Sequence, residues 1–149
     1  MRFQKQLNMH EPEKGIYGDC LRTVFACLLG LDPADVPHFG DRTDGRSDDD
    51  VGRMLSEWVR EQGMVLITTQ YGGAASLDDV LGAATWGSFG MPFLLSGRSG
   101  IGCDHVVICQ GGKIIWDPSR IDSGIVGPMS NGMWWVEWLV KPLVTEDAA

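Results

Sequence analysis

Two apolar runs, Val106–Cys109 and Ile114–Trp116, are separated only by Gln110-Gly111-Gly112-Lys113. Apolar runs this close, with paired glycines between them, predict a β-hairpin, because glycine adopts the positive φ that tight hairpin turns need. The hairpin sets His105 at the mouth of one strand and Asp117 at the far end of the other. Register decides whether they meet. A two-residue loop, Gly111-Gly112, places His105 across from Pro118 and turns Asp117 to the opposite face. A three-residue loop, Gln110-Gly111-Gly112, pairs His105 directly with Asp117. That second register also gathers Val106, Ile108, Ile114 and Trp116 on one apolar face, so the hydrophobic pattern predicts it.

Upstream, Asp19 is placed to cap a helix over Cys20–Leu29 that Gly30 closes. Leu21, Val24, Phe25, Leu28 and Leu29 make that helix apolar over most of its girth, which predicts burial. Leu31–Phe39 holds two prolines and reads as a short helical turn followed by a loop. A second helix opens at Ser47, carries Val51, Met54, Leu55, Trp58 and Val59 at helical spacing, and ends at Gly63. Asp48–Asp50 in its first turn complement the helix dipole without any ligand. Further expectations are a strand at Val65–Thr69, a Ser76-capped helix over Leu77–Ala84, and strands at Pro92–Leu95 and Trp134–Val140. Helices first and then mostly strands indicate an α+β fold with an antiparallel sheet. At 149 residues the chain suits one domain, 1–149, with residues 1–18 as an irregular arm and 143–149 as a flexible tail.

The net charge of −8, from 20 acidic against 12 basic residues, together with the lack of a basic stripe, argues against nucleic-acid binding. The acidic run Asp41–Asp50 reads as solvated surface. No apolar stretch approaches the roughly 18 residues of a membrane span. The N-terminus is too polar for a signal-peptide core, so no membrane partner and a cytoplasmic location are expected. In that compartment Cys20, Cys27, Cys103 and Cys109 are expected as reduced thiols. No C-x2-C pair exists, and Cys103-x-His105 is the one close Cys/His pair, so neither a metal nor another cofactor is expected.

A protonated thiol is a poor nucleophile, and the free N–H groups of a helix's first turn favour the thiolate. Cys20, directly after the Gly18-Asp19 turn, occupies that position, whereas Cys27, two turns on, reads as core. If His105 reaches Cys20, its imidazole can take the thiol proton while Asp117 orients the ring and fixes its tautomer. Acyl transfer also needs donors aimed at the developing oxyanion. The Cys20 N–H is one, and the arm offers Gln4, Gln6 and Asn8 for the other. His10 and His38 read as surface or loop-packing residues, and most of the six tryptophans as core.

The segments GIYGDCLRTVFACLLGLDPADVPHF and DHVVICQGGKIIWDPSR resemble a family of small phage and bacterial proteins with a papain-like fold. That family is similar to bacteriocin-leader peptidases and related thiol hydrolases. The resemblance covers most of the chain. It implies an N-terminal Cys-bearing helix packed on an antiparallel sheet that carries the His hairpin. It also implies Cys20 as nucleophile, His105 as base and Asp117 as orienting group. Papain-like enzymes usually carry an oxyanion glutamine upstream of the cysteine, and Gln6 is the best match in QLNMHEPEKGIYGDC. The expected activity is hydrolysis of a peptide, isopeptide or related amide through a thioester, with a protein or peptide as substrate, in a bacterium or phage-infected host. Two alternatives use the same scaffold. One transfers the acyl group to an amine, as a transglutaminase-like enzyme does, in a cleft walled by Trp86 or Trp134. The other is a non-catalytic module whose acidic surface binds a basic partner.

Overall fold

The computed structural model describes residues 1–143. Its elements are α1 (Cys20–Leu29), α2 (Asp48–Glu61), β1 (Val65–Gly72), α3 (Leu77–Ser88), β2 (Phe93–Arg98), β3 (Asp104–Gln110), β4 (Lys113–Trp116) and β5 (Met133–Val140). One-turn 3-10 segments stand at Pro12–Lys14 and Pro33–Asp35. The fold is α+β, with five strands in the order β1-β5-β2-β3-β4 and every neighbouring pair antiparallel. Apart from Leu143, the expected tail lies outside the described residues. No helix among the described residues is long and apolar enough to cross a membrane.

Local chemistry sets most of the boundaries. Ser47 and Ser76 open α2 and α3 with reciprocal capping boxes to Asp50 and Asp79, satisfying N–H groups that a helix start leaves free. Gly30 ends α1 in the left-handed region, its N–H reaching Ala26 O. Helix α3 runs past the expected end at Ala84 to Ser88, and Phe89 closes it in the left-handed region. Strands β1 and β2 likewise run on to Gly72 and Arg98. Asp19 stands at the N-cap position of α1, but its side chain accepts no bond from that helix's N–H groups.

The sheet is covered on both faces. Val24, Phe25 and Cys27 of α1 and Leu55 and Val59 of α2 pack with Leu94, Val106 and Ile108. Val80, Leu81 and Ala84 of α3 pack with Phe93, Leu95, Val107, Cys109, Trp134 and Val136. Strand β3 is therefore buried on alternate residues in both directions, as a central strand between helical layers should be.

This two-sided burial corrects the predicted hairpin register. Strand β3 turns into β4 through the two residues Gly111 and Gly112, both at positive φ (60° and 79°), and Gln110 pairs with Lys113. The three-residue loop is not used. A β-bulge follows: Cys109 pairs with Ile114, but Ile108 pairs with Trp116, leaving Ile115 as an extra residue. Ile114 packs on the α3 side, whereas Ile115 and Trp116 both pack on the α1 side. An extra residue reverses the alternation of everything after it. Asp117 is thereby brought to His105 from a register that, unbulged, sends it away.

Candidate active site

Cys20 begins α1 and is half-buried, in a narrow cleft lined also by Gln6, His10, Cys103, His105 and Ser119. The cleft encloses about 40 Å³, room for roughly two or three waters. His105 is the second residue of β3 and is buried, with Gly97 of β2 as its cross-strand partner. A Cβ on Gly97 would lie 2.6 Å from Gly127 O and 2.7 Å from Ile125 Cγ2, so only glycine lets the 124–127 loop close over this end of the sheet.

His105 Nε2 lies 2.7 Å from Asp117 Oδ1. The same oxygen accepts the Ser119 N–H at 2.8 Å, and Oδ2 accepts the Gly124 N–H at 2.8 Å. With Nε2 taken up by Asp117, Nδ1 is the ring nitrogen left for Cys20, which lines the same cleft. Burial is the largest influence on the imidazole and pushes its pKa down. The hydrogen bond to Asp117 and the nearness of the Cys20 sulfur outweigh it, pushing the pKa up to about 10. Burial also pushes the Asp117 carboxyl up, but the bonds from His105, Gly124 and Ser119 prevail and hold it below its usual range. The arrangement holds a proton on the imidazole at neutral pH, between the Cys20 sulfur and an ionised carboxylate.

Among the three arm candidates, Gln6 alone faces this cleft. It is 5% exposed. Its Nε2 donates to Asn8 O at 2.6 Å and lies 3.5 Å from Met9 Sδ, a weak acceptor on the cleft wall. Its Oε1 is buried without a hydrogen-bond partner among the described residues. The Gln4 amide instead donates to Leu31 O, and Asn8 gives its main-chain N–H to Asp19. Trp134 is core and Trp86 is 84% exposed, and neither lines the cleft.

The arm is irregular but firmly attached. Phe3 stacks on Trp116 with ring centroids 4.9 Å apart, the Trp116 Nε1–H donates to Gln4 O, and Lys5 Nζ lies 4.6 Å from the Trp116 ring centre. Lys5 also donates to the carbonyls of Asp117 and Ser119. His38 packs in its loop, with Nε2 3.0 Å from Tyr17 O. His10 is exposed, as expected, yet it also lines the cleft, and its Nδ1 accepts the Gly18 N–H just ahead of Cys20. A Cβ on Gly18 would lie 3.0 Å from His10 Cβ, so the glycine permits that approach.

Sequence reading did not find His10 or Cys103 as parts of the cleft wall; both come from loops whose path only the tertiary fold sets. Among the described residues no group of three or more His, Cys, Asp or Glu side chains is placed to hold a metal ion. No protein-family model matches the chain, and neither a curated protein nor a solved structure matches it.

Proposed function

We propose that the chain is a papain-like cysteine hydrolase that cleaves a peptide, isopeptide or related amide of a protein or peptide substrate through a thioester. The observation that carries this reading is that Cys20 and His105 line one cleft, with the thiol at a helix start and the histidine anchored on the Asp117 carboxylate, which accepts two backbone N–H bonds. Thiol, base and orienting acid are the parts that nucleophilic acyl transfer requires.

In the proposed mechanism the Cys20 sulfur, its proton already carried by His105, attacks the substrate carbonyl, and the oxyanion that forms accepts hydrogen bonds from the Cys20 N–H and Gln6 Nε2. The C–N bond breaks as the His105 imidazolium gives its proton to the leaving amine, and a thioester remains on Cys20. Neutral His105 then takes a proton from water, and the resulting attack releases the carboxylate and restores the thiol–histidine pair. Asp117 stays ionised throughout and holds Nε2–H. The narrow cleft suits a slim, extended chain entering beside Cys20.

Replacing Cys20 by Ala is expected to abolish thioester formation, read by intact mass after incubation with an activated acyl ester, while the fold, read by far-UV circular dichroism, is kept. Acylation that survives in the Ala variant would overturn the reading. The acyl-transfer alternative takes an amine in place of water and lacks the tryptophan wall expected for it.

A further inference from the structure

The tripeptide Gln6-Leu7-Asn8 is gripped on both sides by charge. Asp19 Oδ2 accepts the Leu7 N–H at 3.2 Å, and Oδ1 accepts the Asn8 N–H at 2.8 Å. On the other side Arg120 Nε donates to Gln6 O at 2.8 Å, and Nη2 donates to Leu7 O at 2.7 Å. An anion thus holds two amides and a cation holds two carbonyls of one short stretch. The Gln6 N–H closes the grip on Pro118 O at 2.9 Å.

The origins of these two side chains matter more than their strength. Asp19 immediately precedes Cys20, and Arg120 follows Asp117 by three residues. The stretch bearing Gln6 is therefore tied at one end to the helix that carries the thiol and at the other to the hairpin end that carries the carboxylate. Asp19 is fully buried and held by Arg22 Nε at 2.8 Å, an ion pair inside the protein that exposed arm packing alone would not call for. A helix cap, the ordinary role for an aspartate at this position, is not what it does.

We propose that Asp19 and Arg120 are positioning residues that hold the Gln6 amide at the oxyanion site, keeping it in register with Cys20 and His105. The proposal rests on the cysteine-hydrolase reading above. An oxyanion donor works only if it is held where the charge will develop, and a shift of about 1 Å is enough to lose most of its effect. Two charged tethers from the two other parts of the site supply that constraint to a stretch without regular secondary structure.

The test compares two reactions of Cys20 in the full chain, resolved by mass spectrometry. Alkylation by iodoacetamide passes through no oxyanion; acylation by p-nitrophenyl acetate does. Gln6→Ala is expected to slow acylation by about tenfold or more while changing alkylation by less than about twofold. Asp19→Asn keeps the shape but turns an N–H donor toward the arm's own N–H groups. Arg120→Gln, at an exposed position, removes the fork without disturbing the core. Each is expected to slow acylation by about three- to tenfold with alkylation nearly unchanged, and to add nothing further in a chain already carrying Gln6→Ala. Equal loss in both reactions, no loss in either, or full additivity with Gln6→Ala would overturn the proposal. Should the Asp19→Asn variant not fold, the Arg120→Gln variant decides alone. A wild-type Cys20 that reacts with both reagents no faster than glutathione would sink the hydrolase reading, and the positioning role with it.

Discussion

Burial alone would make His105 a weaker base than a free imidazole, and its two neighbours reverse that. The raised value has a consequence for stability with a definite sign. Below pH 6.5, the ordinary value, folded and unfolded chains both hold the proton and the full contribution is present. Between about 6.5 and about 10 the unfolded chain releases it while the folded chain keeps it, so stability from this group declines as pH rises through that window. Denaturant midpoints measured across pH 6 to 10 are expected to fall more steeply in the wild type than in His105→Gln; equal slopes would contradict the assignment. Asp117→Asn puts a carboxamide of the same shape in place but removes the charge that anchors Nε2–H, and is expected to slow acylation of Cys20 by more than about tenfold. An unchanged rate would leave Asp117 without its orienting role. At this scale the sequence was informative because thiols and imidazoles, four and three in number, are few and their chemistry is specific. It misassigned Asp19 as a helix cap, since a helix cap and a clamp on a neighbouring arm ask for the same side chain.

The hairpin shows where element-scale reading fails and why. The three-residue loop was favoured because it gathers four apolar residues on one face, an argument that assumes one buried face. Strand β3 is buried on both, with Val106 and Ile108 toward α1 and Val107 and Cys109 toward α3. The hydrophobic pattern then carries little register information, and the chain uses a two-residue turn plus a bulge at Ile115. His105 and Asp117 meet by a different route from the one predicted. Deleting Ile115 should leave a regular ladder in which Trp116 still pairs with Ile108 and Asp117 stays on the His105 face, so acylation should be largely kept where the variant folds; its loss in a folded variant would contradict this account of the bulge. Gly97 makes a second element-scale prediction. Gly97→Ala brings a methyl against backbone and core that cannot withdraw, at a cost of about 1–3 kcal/mol in denaturant unfolding. A change within about 0.5 kcal/mol would contradict the packing described.

Over the whole molecule, the helices, the Ser47, Ser76 and Gly30 caps and the antiparallel class of the sheet were legible because capping residues and hydrophobic periods act locally. The position of β5 between β1 and β2 was not, since no local signal encodes which strand slots between which. The arm was the other surprise. Read as irregular, it nonetheless stacks on Trp116, hydrogen-bonds to the chain after β4 and brings Gln6 to the cleft. Burial pushes the Cys109 thiol up to about 12 and raises that of Cys27, so these two thiols serve as internal references for an inert cysteine. The central claim, that the whole fold converges on one activated thiol, is tested most directly by the iodoacetamide alkylation rate of all four cysteines in the native protein at neutral pH, with and without His105→Ala. Cys20 is expected to react on the order of tenfold or more faster than Cys103, with that advantage lost in the variant; Cys20 reacting no faster than Cys103, or unaffected by loss of His105, would contradict the account.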